Sequence, residues 1–126
     1  MGLLDSLKDL FVKKDITEKI KGYAEEENTG KLVKLAAYGN PMETRLAAID
    51  ALKEIKMDIL CVDTLMSLLN EENKEIKLAA CNSLKRVGTK REVDVLFHKA
   101  ELEEDTEIAK ALTAAAVEAK DRTPRF

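Results

Sequence analysis

Twelve residues, Thr44 to Ile55, return as Ile76 to Val87 and again as Ile108 to Ala119, at a constant shift of 32 positions. Six places in each copy are apolar or small: Thr44/Ile76/Ile108, Ala47/Ala79/Ala111, Ala48/Ala80/Leu112, Ala51/Ser83/Ala115, Leu52/Leu84/Ala116 and Ile55/Val87/Ala119. Their spacing is i, i+3, i+4, i+7, i+8, i+11, one stripe on an α-helix. Recurrence at this interval marks stacked supersecondary units, each too thin to bury its own apolar face. Alanine dominates the middle of the stripe, and side chains that small let helix axes approach closely.

A second helix precedes each copy. Cys61 to Leu69 aligns with Glu92 to Ala100 at a shift of 31, and a shorter version, Leu32 to Ala36, comes before the first. The punctuation agrees with helix pairs. Asn40-Pro41 with Glu43 reads as an N-cap, a first-turn proline and an N3 acid. Asn73 and Asp105 stand where the next two helices need N-caps, and Gly88 follows Val87 as a C-terminal stop. The expected organisation is a helical cap or degenerate repeat over 1–28, repeats over 29–57, 58–88 and 89–121, and a flexible tail over 122–126. About three such units are the minimum for a stable stack.

The pattern resembles the HEAT-repeat family, particularly the short HEAT-like repeats also found in bilin lyase-type proteins. Arg45-Leu46-Ala47-Ala48 through Ala51-Leu52 to Ile55, and Lys77 through Ala79-Ala80 and Leu84 to Val87-Gly88, carry the resemblance. Cys61-Val62, Leu65 and Leu68-Leu69 fit the family's first helix, and the match spans about residues 30–120. It implies an all-α fold: a right-handed α-α superhelix, a HEAT/armadillo-like solenoid of about three helix pairs with an N-terminal helical cap. The third copy departs from the pattern, with Ala109 in place of the expected basic residue.

The remaining sequence limits the class. Five Gly and two Pro permit long helices. With 21 Lys+Arg against 24 Asp+Glu, the net charge of -3 does not favour a phosphate backbone as partner. No apolar run approaches the ~18 residues of a membrane span, and no secretory leader is visible. Two cysteines in such a chain point to reduced thiols and a cytoplasmic location. Leu3, Leu4, Leu7, Leu10 and Phe11 form one apolar stripe, and Ile16, Ile20, Tyr23 and Ala24 form another beginning near Asp15. Capping of the stack is the expected use. Peripheral contact of residues 3–11 with a membrane is the alternative, weakened by Asp5 and Asp9 on the polar face.

No catalytic set emerges. His98 is the one histidine, so a Cys/His zinc site is out of reach, and neither a Ser/His nor a Cys/His nucleophile is suggested. Cys61 and Cys81 hold positions that the family gives to small apolar residues, which implies inert thiols. Ser83 stands inside the stripe, where bonding to its own helix is expected. The His-Glu pairs by which some HEAT-repeat hydroxylases bind iron do not occur here. No cofactor is expected.

On the second helices, the side away from the stripe carries Met42, Leu46, Asp50 and Lys53, then Lys74, Leu78, Asn82 and Lys85, then Thr106, Lys110, Ala114 and Val117. Ile49, Cys81 and Thr113 lie beside this row. The resemblance places the row on the concave surface. A partner-binding face is therefore expected at Met42, Leu46, Ile49, Lys53, Leu78, Asn82, Lys85 and Lys110. Burying a leucine yields ~1.5–3 kcal/mol and association costs roughly 4–15 kcal/mol, so a partner must cover far more than two leucines. The leading function is a non-catalytic adaptor for a protein or peptide segment, with self-association also open. The alternatives are a lyase-type or accessory subunit acting on a tetrapyrrole or protein, and a HEAT-like nucleic-acid-binding module.

Overall fold

Four helices begin on an Asn or Asp whose side chain accepts a hydrogen bond from the backbone N–H three residues on, meeting one of the orphan donors of the first turn. Asn28 accepts from Lys31, Asp58 from Cys61 at 3.0 Å, Asn73 from Ile76 at 3.0 Å and Asp105 from Ile108 at 3.1 Å. A computed structural model describes residues 15–126 and shows seven α-helices and no strand among them. Helix α1 covers residues 15–25. It is followed by α2 (Thr29–Ala36), α3 (Met42–Ala51), α4 (Ile59–Leu68), α5 (Lys74–Val87), α6 (Val93–Leu102) and α7 (Thr106–Ala119). Short 3-10 turns, Leu52–Glu54 and Lys90–Glu92, close α3 and open α6.

Asn40 does not cap α3. Pro41 occupies the N-cap position, with extended backbone and no side-chain bond. The Asn40 amide instead donates to the Lys34 and Ala37 carbonyls at 2.8 and 3.1 Å, satisfying acceptors freed at the end of α2. Gly88 does stop α5, but with an extended φ of -61° rather than a left-handed one. Its lack of a side chain matters for space: a Cβ there would lie 2.7 Å from the Leu84 carbonyl oxygen.

The helices pack as α2 on α3, α4 on α5 and α6 on α7. The second helices also pack on one another, α3 on α5 and α5 on α7. The first helices meet less: α2 touches α4, and α4 and α6 have little direct contact. The predicted stripe is the core. Ala48, Leu52, Ile55, Ile76, Ala80, Leu84, Val87, Ile108, Leu112, Ala115 and Ala116 are buried with Leu32, Val62, Leu65 and Leu96 from the first helices. On α1, Ile20 is buried and Ile16, Tyr23 and Ala24 pack partly against this core. The stripe at Leu3 to Phe11 lies outside the described residues.

Bonds between repeats fix their stacking. Ser83 donates not to its own helix but to the Ile49 carbonyl at 2.7 Å, where α3 is about to tighten into its 3-10 turn. Thr29 donates to Asp58 at 2.8 Å. Residues 122–126 are tied more closely than a free tail: the Arg122 guanidinium donates to the Gly88 and Lys85 carbonyls, and the Arg122 carbonyl accepts from the Lys90 N–H at 2.8 Å. Phe126 stacks beneath the Arg91 guanidinium.

Candidate functional site

The row on α3, α5 and α7 divides into three kinds of residue. Met42, Asn82, Lys85 and Lys110 are exposed. Leu46, Leu78 and Lys53 are half-buried, and both leucines rest against the core rather than standing free. Ile49 is fully buried and is no surface residue. Helical periodicity puts Ile49 beside the row because it describes one helix pair without its neighbours. In the stack α5 lies against α3 and covers that edge. Cys81, at the same repeat position, is buried likewise, whereas Thr113 is exposed.

Charge along the row is unevenly neutralised. Lys53 bonds to Asp50 at 3.0 Å, and Lys74 sits 3.0 Å from both Asp105 and Glu107. The hydrogen bonds and charge of those two acids raise the Lys74 pKa. The Asp105 carboxyl is held below its usual value, first by the Ile108 N–H and then by Lys74. Lys85 and Lys110 have no ion pair among the described residues, and Val117 is exposed at the far end.

Arg45 and Lys77, two of the residues that carry the family resemblance, make contacts within the fold. Arg45 is only 3% exposed. Its Nε donates to the Ala36 carbonyl at 2.8 Å and its two terminal nitrogens donate to the two Glu71 oxygens, one at 2.9 Å. The planar guanidinium suits this bidentate arrangement. Lys77 stands 32 positions on and faces Glu103, itself 32 positions after Glu71, across 3.7 Å. Sequence reasoning missed both acids, although the shift that found the helices also relates Glu71 to Glu103.

Two hollows open elsewhere. One, of about 280 Å³, lies between α2 and α4 with Val33, Ala36, Ala37 and Leu68 as its apolar lining and Asp63 and Glu71 at its edges. Both acids are already engaged, Asp63 by Arg91 and Glu71 by Arg45. The other, of about 220 Å³, lies where α5, α6 and α7 meet, beside Lys77 and Glu103.

The thiols are buried and free. Burial, with a smaller push from Asp58, raises Cys61 to about 12, and burial followed by Glu103 raises Cys81 to about 11. Neither is a thiolate near neutrality, the form that nucleophilic or metal-binding roles require. His98 is exposed. No three His, Cys, Asp or Glu side chains among the described residues are placed to hold a metal ion, and no described helix is long and apolar enough to cross a membrane.

Stacked helix pairs with a 32-residue recurrence meet an independent comparison: the family model of HEAT repeats matches residues 23–118. The chain belongs to the HEAT-repeat family. HEAT repeats are commonly protein-interaction modules, and the family is generally a non-catalytic scaffold. No curated protein and no solved structure matches the chain. In HEAT terms, α2, α4 and α6 are first helices and α3, α5 and α7 second helices.

Proposed function

We propose that this HEAT-repeat protein is a small non-catalytic adaptor that holds a protein or peptide segment on the face formed by α3, α5 and α7. The single observation that carries the reading is the repetition of one apolar position, Leu46 and Leu78, half-open beside the exposed side chains of Met42, Lys85 and Lys110. Tighter packing among second helices than among first helices supports an inward curve on this side, where a bound segment touches several repeats at once. A stable complex of ordinary size requires about 800 Å² from each partner, more than the leucines alone provide. Ile49 takes no part because α5 covers it. The free, buried thiols support a reducing compartment, the cytoplasm.

The test is selection from a displayed peptide library, followed by mapping of the chosen peptide by amide chemical shifts. The reading expects shifts at Met42, Leu46, Leu78 and Lys85, and loss of binding on the double change Lys85→Glu with Lys110→Glu at unaltered melting temperature. Both lysines are exposed and make no ion pair among the described residues, whose fold does not depend on them. Shifts centred on Val33 and Leu68 would move the site to the α2–α4 hollow and end this reading.

A further inference from the structure

The hollow of about 220 Å³ at the meeting of α5, α6 and α7 is lined by a lysine and an acid at positions where the preceding repeat has an arginine and an acid. Its lining includes Lys77, Glu103, Ile108 and Leu112, which are Arg45, Glu71, Ile76 and Ala80 moved by 32 positions. At the first step the Arg45 guanidinium bonds to Glu71 and to the Ala36 carbonyl, beside the hollow that Ala37 and Glu71 line there. At the second step lysine has neither the planar fork nor the bulk. The Lys77 side chain is only 20% exposed, yet its one charged partner among the described residues is Glu103 at 3.7 Å, beyond hydrogen-bond length. Lys99 opens on the same hollow and spends a single donor on Asn70, at 2.8 Å. Two lysines and one glutamate thus line the hollow, together with Leu69, Ile108 and Leu112.

We infer that this hollow is a binding site for a small monocarboxylate with an apolar body, its carboxylate set between Lys77 and Lys99 and its body on Leu69, Ile108 and Leu112. One negative charge balances the local excess of one positive charge. A carboxylate also supplies the close acceptor that the Lys77 ammonium lacks among the described residues, and such charge-assisted bonds are about twice as strong as neutral ones. The volume lies below the ~300–1,000 Å³ typical of drug-sized ligands, which sets the size class. The inference does not rest on the peptide-binding face proposed above.

Octanoate, octanol and octylamine titrated into the full chain, with the methyl resonances of Leu69, Ile108 and Leu112 followed by NMR, test this directly. Saturable shifts with octanoate are expected, with the alcohol and the amine weaker by roughly tenfold or more. Lys77→Gln, which removes the charge, should abolish binding. Lys77→Arg keeps the charge but commits it to Glu103 as Arg45 is committed to Glu71, and it should abolish binding too. Shifts that never saturate, equal response to all three probes, or octanoate binding retained in Lys77→Arg would each overturn the site.

Discussion

Arg45 grips Glu71 through both terminal nitrogens, while one repeat later Lys77 reaches only to within 3.7 Å of Glu103. The same two positions, 26 residues apart, thus form a buried fork in one place and a loose contact in the other. Removing the fork should matter more than removing a surface ion pair, because Arg45 is enclosed and also ties down the end of α2. Arg45→Lys is expected to cost about 2 kcal/mol. Lys77→Arg, the reverse experiment, should add about 1 kcal/mol and raise Tm by roughly 2–6 °C. Thermal and urea unfolding of both variants check the pair.

Ser83→Ala deletes the hydroxyl that bridges α5 to the Ile49 carbonyl. The carbonyl lies at a buried residue, so little water replaces the lost donor. A loss of about 1–2 kcal/mol is expected, read as a lower urea midpoint at unchanged slope. Ser83→Thr, which keeps a donor but adds a methyl group in a packed layer, tests whether space or hydrogen bonding dominates.

Acid should loosen the α5–α7 junction through Asp105. Its folded pKa is depressed, first by the Ile108 N–H and then by Lys74. A depressed carboxyl contributes stability above its unfolded value, about 3.9, and loses it as pH falls through the folded one. Asp105→Asn keeps a capping oxygen but removes the titration. The variant's unfolding midpoint should therefore fall less than the parent's between neutral pH and pH values below about 4.

The thiols titrate in the opposite sense. Cys61 and Cys81 are raised to about 12 and about 11 by burial. Their protonated state stabilises the fold fully below the unfolded thiol value, about 8.5, and that contribution fades as pH rises toward the folded values. Alkylation at neutral pH should be slow and should quicken only with unfolding, both sites together. Rapid labelling of either thiol in the native protein would contradict the packing around it.

The sequence disclosed the elements through positions that every repeat needs. Asn73 and Asp105 are caps because their helices begin with nothing else to satisfy the first N–H groups. Asn40 has the same chemistry but faces a stronger claim from the end of α2, and no local pattern ranks the two. Leu46 and Ile49 differ for a similar reason. Helical periodicity separates the core side from the far side of one hairpin, whereas a stacked hairpin has two further sides against its neighbours. Ile49 lies on one of these. Cys81 at the equivalent place and polar Thr113 in the last repeat were the legible hint. The loose contact of Lys77 with Glu103 stands out only against the Arg45–Glu71 fork one repeat earlier, so it becomes visible when the two steps are laid over each other.

Arg122 follows α7 yet fastens the carbonyls of Lys85 and Gly88, with 34 positions between donor and acceptor at Gly88. A protease that clipped the chain just after Lys120 would thus do more than shorten an end. It would unbutton the joint between the middle and last hairpins, and the injury would surface as faster amide exchange around Thr89, far along the chain from the cut.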